Sequence, residues 1–281
     1  EIHERLVGSE MCIRDRASPV LGGFLTDSIG WKGIFIVLLI LGVLLLFSNL
    51  HFKESLSVDN RKRGNLKSLV SSFGIVLKNR RYVYYVLQMG FAMGVLFANI
   101  SSSPFIVQQH YGFSAFEFSL FFGINALAIG LAAGLSVKFK NPEHAMFLGS
   151  VGMTMMSAVE FVILSNEYHF AVYEAVLFVL LFSMGLTFTA STTLAMDCER
   201  ANSGTASALF GAAGFAFGGI VSPLVGLGDI LSTTGLIFFV CSVCSLCFSV
   251  LAMNQTHTNL WGSFKCKMGP VTRFVFLRRE K

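Results

Sequence analysis

Long apolar runs separated by short polar breaks dominate this chain. Positions 33–50 and 82–107 carry no charged residue, and neither do 118–137, 203–228 and 230–256. Two further runs, 145–166 and 172–196, each contain a single acid, Glu160 and Glu174. Each run reaches or approaches the roughly 20 residues a helix needs to cross a hydrocarbon core of about 30 Å. Lipid offers backbone amides no partner, so segments of this length predict helices. Strands of a membrane barrel would be shorter and would alternate polar with apolar positions, which these do not. The pattern therefore predicts seven complete spans, and a shorter apolar piece at 17–25 reads as the end of an eighth.

The placement of charge orients the spans. Beyond residue 16 there are 18 Lys and Arg, and 17 fall in segments 51–81, 138–143, 197–202 and the tail after Asn254. All four segments lie on one side if every run crosses. The other side holds only Lys32. Basic loops stay in the cytoplasm, so 51–81 and the C-terminus are expected there, in the inner membrane of a bacterium.

Composition agrees. Hydrophobic residues make up 54 % and charged residues 13 % of the 281 positions, the latter about half the usual share of about 25 %. So little charge cannot cover a soluble globule. The net charge of +5 is met by inner loops facing anionic lipid and calls for no nucleic acid. Cys241, Cys244 and Cys247 share an i, i+3, i+6 spacing. An iron–sulfur run has similar spacing, but these lie in an apolar span and read as small buried hydrophobes.

The polar break 51–81 is far longer than the usual loop of about 4–6 residues. Six spans follow it on short turns. That is the organisation of one half of a two-bundle transporter built from inverted three-span units. The segments expected are therefore 17–50, the end of an N-terminal bundle; 51–81, a cytoplasmic linker; 82–256, a six-helix bundle; and 257–281, a basic tail. Residues 1–16 hold seven charges and match nothing around them, so they read as a non-native extension. The remainder of the first bundle is expected upstream, in cis.

Three stretches carry a family resemblance. One is SPVLGG at 18–23, followed by Asp27 and Trp31. The second is SPFIVQ at 103–108 with YGFS at 111–114 and FSLFFGINAL at 118–127. The third is ANSGTASALFGAAGFAFGG at 201–219. Together they resemble the bicyclomycin-resistance (Bcr/CflA) type of drug:proton antiporter in the major facilitator superfamily, over about residues 17–254. The resemblance implies an all-α integral membrane protein with a major facilitator helical bundle, here the C-terminal six-helix half plus the end of the N-terminal half. It implies export of drug-like amphiphiles against a proton, with membrane lipid as the surrounding partner. It implies no cofactor and no metal. The coupling acids of such families are expected mainly in the first half and carry over to no residue here.

Several features have both a functional and a plain reading. Gln88, Ala92, Val95, Asn99 and Ser102 recur at helical spacing, so they share a face. Amides are costly against lipid, so that face looks inward, either as glue to another helix or as the wall of a substrate cavity. Asn125 with Phe118, Phe121 and Phe122 makes a more aromatic face on the next span. Ser183, Thr187 and Ser191 form a hydroxyl stripe, though such hydroxyls also bond their own helix backbone. The pairs Gly90 and Gly94, Gly130 and Gly134, and Gly214 and Gly218 are GxxxG patterns, which predict close helix packing.

Glu160 and Glu174 are candidates for proton coupling, because a carboxylate within a span is a relay candidate by default. Glu160 stands about six residues from the outer end of its run, roughly 9 Å along a helix axis, which is shallow enough for water to reach it. Gly226, Gly228 and Asp229 match the GxGD of intramembrane aspartyl proteases, but no partner Asp lies in the preceding spans. No HExxH and no Walker A sequence occurs, which leaves zinc proteolysis and ATP-driven transport without support. The chain is not expected to be an enzyme. A sugar or metabolite exporter of the same fold, or a non-transporting membrane scaffold, are the alternatives.

Overall fold

A computed structural model describes residues 29–30, 32–51 and 66–255. The expectations for 1–16, for the partial span at 17–25 with its SPVLGG and Asp27, for most of the basic break and for the tail 257–281 lie outside the described residues.

Among the described residues, seven helices are long and apolar enough to cross a membrane. They are α1 (Lys32–Leu50), α3 (Arg80–Pro104), α4 (Ala115–Ser136), α5 (Pro142–Ser165), α6 (Phe170–Cys198), α7 (Ser203–Leu224) and α8 (Ile230–Gln255). The seven expected spans are thus present, with ends shifted by a few residues. Within the long polar break the structure adds an unforeseen helix, α2 (Leu66–Lys78), which packs on α3 and α7 and buries Val76.

Local sequence explains where the helices begin and end. Ser114 caps α4 in a reciprocal box with Glu117: its hydroxyl accepts from the Glu117 amide, and the Glu117 carboxylate accepts from the Ser114 amide at 2.8 Å. Two orphan amides are thereby satisfied. Gly112, at φ +76°, makes the turn just before it, a conformation open to glycine at no steric cost. Pro142 opens α5, where its missing N–H costs nothing. Asp229 caps α8, accepting from the Ser232 amide at 2.9 Å and the Ser232 hydroxyl at 2.8 Å. Those hydrogen bonds hold its carboxyl below the usual range. The GxGD sequence is a helix start at an exposed turn.

At the C-terminal end of α3, Pro104 has no amide to give to the helix ladder. The ladder slips to a wider register, and Phe105–His110 continues as a π-helix, the form that commonly absorbs such a defect. The span therefore runs to His110 rather than ending at Val107.

Packing among α3–α8 has an internal order. α6 lies along α5 and α4; α3 lies along α8 and α7; α5 crosses α8, and α3 meets α6. Exchange α3, α4 and α5 for α6, α7 and α8, and this set of contacts maps onto itself. The bundle is thus two three-helix units related by a pseudo-two-fold axis, as inverted repeats require. α4 and α7 are the outer members, each docked chiefly on one neighbour. Their free faces expose Leu127, Leu131, Phe215 and Ile220. None of the apolar window of α1 is buried.

A polar clasp ties the end of the bundle where α3 starts. Arg81 pairs with Glu143 at 2.9 Å, joining α3 to α5. The Asn79 amide donates to Glu199 at 2.7 Å, and the Tyr82 hydroxyl to the Ala206 carbonyl at 2.6 Å, joining α6 and α7.

Candidate functional site: an aromatic pocket between three helices

The polar face of α3 is buried throughout: Gln88, Ala92, Val95, Asn99 and Ser102 are each at most 2 % exposed. Their partners decide what the face does. Gln88 donates through Nε2 to Ser245 of α8 at 3.0 Å and accepts through Oε1 from Ser191 of α6. Ser245 also donates to the Gln88 carbonyl. Both the amide nitrogen and the oxygen of this side chain have partners, so Gln88 joins three helices. Ser102 donates to Ala98 of its own helix. The Asn99 carbonyl oxygens, main chain and side chain, accept from Ser103.

The stripe on α6 bonds chiefly within its own helix, with Ser191 also reaching Gln88 of α3 and Thr187 reaching the Met146 carbonyl of α5. Ser183, Thr187 and Ser191 donate to the carbonyls of Val179, Ser183 and Thr187, one turn back. Thr187 presses on Gly149 of α5 and faces no open space. Of the expected cavity residues, Gln88, Asn99, Ser102 and Thr187 are thus placed inside the helix packing, because their hydrogen bonds close within the bundle.

A small cavity of about 10 Å³, room for about one water, lies instead near the C-terminal end of α3, between α3, α4 and α6. Phe118, Phe121, Phe122 and Asn125 supply the α4 wall. Tyr173, Glu174 and Leu177 supply the α6 wall, and Ser103 and Val107 close it from α3 and its π-turn. Three expected residues, Phe121, Phe122 and Asn125, are brought together here. Asn125 reaches across the pocket wall, its Nδ2 donating to Glu174 Oε1 at 2.9 Å. Behind the wall, Phe170 gathers an aromatic cluster: its ring lies 4.4 Å from Phe113, 4.7 Å from Phe121 and 5.2 Å from Tyr111, mostly edge-on, the geometry that ring quadrupoles favour.

Ser103 and Tyr173 were missed from the sequence, and Glu174 was assigned only to proton coupling. A signal existed for part of this. Tyr173, Glu174 and Leu177 stand at spacing 0, 1 and 4, which is one helical face, and a tyrosine in the first turn of a span is polar at one end and apolar along its ring.

Glu160 is 0 % exposed, which corrects the expectation that water reaches it. Position along the span suggested access, but α6 and α8 pack on α5 and cover it. Neither carboxyl oxygen has a hydrogen-bond partner, and the Tyr173 hydroxyl also has none. Glu160 lies within electrostatic reach of both Tyr173 and Glu174. Glu174 lines the cavity, and Glu160 is sealed within the helix packing.

The glycine pairs divide. A Cβ on Gly90 would stand 2.6 Å from the Phe217 ring, and one on Gly94 3.2 Å from the Cys241 sulfur; one on Gly218 would collide with Phe97. Gly214 meets Met93 at 3.4 Å. These four seat α3 against α7 and α8. Gly130 is partly buried. Gly134 is exposed and has nothing within 4 Å of a Cβ placed there, so the pattern on α4 forms no close seam at that position. Gly149 and Gly185 do so instead, with Cβ positions 2.6 Å from the Ser183 carbonyl and 2.5 Å from the Ile129 carbonyl. Neither belongs to a GxxxG. On α8, Cys241 is buried and Cys247 exposed, so the three thiols point in different directions.

Comparison with known proteins agrees with this architecture. The chain is 34 % identical over 250 residues to the Bacillus subtilis strain 168 protein "Uncharacterized MFS-type transporter YdgK", covering 86 % of this chain and 62 % of that protein. It is 25 % identical to the "Bicyclomycin resistance protein homolog" of Haemophilus influenzae, over 74 % of this chain and 53 % of that one. It is also 25 % identical to the "Multidrug transporter MdfA" of Escherichia coli O6:H1, over 73 % and 51 %. The chain thus spans between about half and two thirds of the length of these relatives. The sequence profile of the Major Facilitator Superfamily matches residues 17–223, most of the described bundle with its seven apolar helices. This chain is a multi-pass membrane protein of the Major Facilitator Superfamily.

Proposed function

We propose that the chain is the six-span unit of a Bcr/CflA-type exporter that moves drug-like amphiphiles out of the cell by proton antiport. The observation that carries this reading is the pocket between α3, α4 and α6. Its walls are mainly phenylalanine, leucine and valine, with one amide–carboxylate pair and the hydroxyls of Ser103 and Tyr173 among them. Such a surface binds by area and adaptable packing, which suits amphiphiles of varied shape. The names of two relatives, a bicyclomycin resistance homologue and a multidrug transporter, point in the same direction.

The mechanism would be alternating access. A second bundle would face the pocket, and the two would rock about it. Substrate and proton would each bind one state better than the other, and the difference in binding energy would drive the exchange. Glu174, in the pocket wall, and Glu160, behind it, are the acids within these spans available to bind a proton. The membrane would be the bacterial inner membrane, with the C-terminus in the cytoplasm.

The test is efflux in a susceptible host carrying the reading frame as it stands in its source DNA. A fluorescent amphiphilic drug is expected to accumulate less than in an empty host, and a protonophore should abolish the difference. Equal accumulation in both hosts would sink the exporter reading. Efflux that survives the protonophore would sink proton antiport alone. A sugar exporter would need more polar groups in the pocket than one amide, one acid and two hydroxyls.

A further inference from the structure

Helix α2 has no part in the cavity or in the exporter reading. It occupies Leu66–Lys78 and stops at Asn79, whose backbone is extended (ψ 98°) before α3 begins at Arg80. That break lets α2 leave the line of the span and dock on α3 and α7. The docking is one-sided. Val76 is 0 % exposed, in a cluster with Tyr82, Ala206 and Phe210, while the next residue, Leu77, is 50 % exposed. Positions 66 and 77, both leucine, are eleven residues apart, about three turns, so they share one edge of the helix. Positions 67 and 78, both lysine, share the adjoining edge by the same spacing. Ser71, also exposed, lies beyond the lysines. The helix is thus apolar over more of its circumference than the bundle covers, and lysine borders the uncovered edge. Charge here has one sign: between Asp59 and Glu117 there are seven Lys and Arg and no acid. Arg81 pairs with Glu143. Lys78 and Arg80 are exposed, and neither enters an ion pair among the described residues.

We propose that α2 is a lipid-binding helix: its Leu77 edge rests at the acyl boundary of the bilayer, and Lys78 and Arg80 hold the phosphate headgroups of anionic phospholipid. An apolar edge flanked by cations is the pattern of a helix lying in a membrane interface. The stems of Lys and Arg lie along apolar surface while their charged ends reach the headgroups. A helix left in water would keep the Leu77 edge wet for no gain. A protein segment covering that edge would have to bring its own acids to meet these cations. An anionic leaflet supplies the apolar boundary and the negative charge together. Because α2 also docks on α3 and α7, a headgroup held there braces the start of both spans. The site needs only that the spans cross a membrane, and it is independent of what the protein transports.

The test places the full chain in nanodiscs of phosphatidylcholine alone or mixed with phosphatidylglycerol, and follows thermal unfolding. The midpoint is expected to rise by several degrees with phosphatidylglycerol. Lys78→Gln with Arg80→Gln is expected to lose most of that rise. Lys138→Gln with Lys140→Gln, in the turn between α4 and α5, is expected to keep it. In a chain cleared of its own cysteines, a nitroxide on Leu77→Cys is expected to be relaxed by oxygen and shielded from a nickel chelate, and one on Ser71→Cys the reverse. Equal midpoints in the two bilayers would overturn the headgroup site, and so would a full rise in the α2 variant or its loss in the control. A nitroxide at 77 reached by the chelate would put that edge in water, and one reached by neither reagent would put it under protein; either overturns the lipid contact. The comparison of lipids on the unaltered chain stands even where a variant fails to fold.

Discussion

Gln88 and Glu160 both have no exposed surface, yet burial means opposite things for them. Gln88 has both its amide nitrogen and its oxygen paired, across α3, α6 and α8. Removing such a side chain strands its partners at a cost of about 1–3 kcal/mol. Gln88→Leu is accordingly expected to lower the stability of the detergent-solubilised chain by that amount in a denaturant titration. Glu160 has nothing paired, and a buried polar group without partners is a standing cost. Glu160→Leu is expected to leave stability unchanged or to raise it in the same titration. A Gln88→Leu variant as stable as the parent would refute the joint role assigned to it, and a Glu160→Leu variant that loses several kcal/mol would show that its carboxyl has partners after all. The sequence announced both residues as polar groups in apolar runs. It had no means to say which was satisfied, because the partners Ser191 and Ser245 are 103 and 157 residues away.

Among the helices, glycine spacing proved a partial guide. GxxxG marks residues one turn apart, which share a face, but a face becomes a seam only where another helix arrives. Gly90, Gly94, Gly214 and Gly218 meet that condition between α3, α7 and α8, while Gly134 looks outward from α4. The tightest backbone approaches are at lone glycines, Gly149 between α5 and α6 and Gly185 between α4 and α6. At each, an added methyl meets a carbonyl oxygen that cannot swing aside, and overpacking of this kind costs typically about 1–3 kcal/mol. Gly185→Ala is expected to lose stability in that range by thermal unfolding. Gly134→Ala is expected to be neutral or slightly stabilising, since alanine is the better helix former by up to about 1 kcal/mol. Equal behaviour of the two variants would contradict the packing described. The Ser114–Glu117 capping box, the Asp229 cap and the proline-induced π-turn at Phe105–His110 were, by contrast, local matters, and those helix ends follow from them within a few residues.

At the scale of the whole molecule, the pseudo-two-fold exchange of α3–α5 with α6–α8 fixes which ends lie together. The turns at 138–143 and 197–202 close one end of the bundle, and those at 111–114 and 166–169 the other. The first end carries basic residues and the Arg81–Glu143 clasp, so the positive-inside rule predicts that it faces the cytoplasm. Single cysteines placed at positions 140 and 201 in a chain cleared of its own cysteines are expected to resist an impermeant thiol reagent in intact cells. Cysteines at 112 and 229 are expected to react. Labelling of the first pair from outside would invert the topology and place the pocket at the cytoplasmic end. The order of the bundle also shows why the pocket is incomplete in its lining: α4 is an outer helix, docked chiefly on α6, and its free face is the apolar surface of Leu127 and Leu131.

The sequence by itself determined the seven spans seen among the described residues, their helical nature and the family resemblance, and it predicts their direction across the bilayer. These depend on local quantities: the length of apolar runs set against bilayer thickness, the backbone's need for internal hydrogen bonds, and the side on which charge accumulates. It also placed Phe121, Phe122 and Asn125 on one face, since a helical period is local. Only the tertiary structure decided which inward polar residues remain unsatisfied. Gln88, Asn99, Ser102 and Thr187 find partners within the bundle, whereas Asn125 and Glu174 keep free acceptors at a pocket and Glu160 is sealed behind them. A hydrogen bond between residues far apart in the chain leaves no periodic trace in sequence, so the separation of structural from ligand-binding polar groups appears only when the helices are packed.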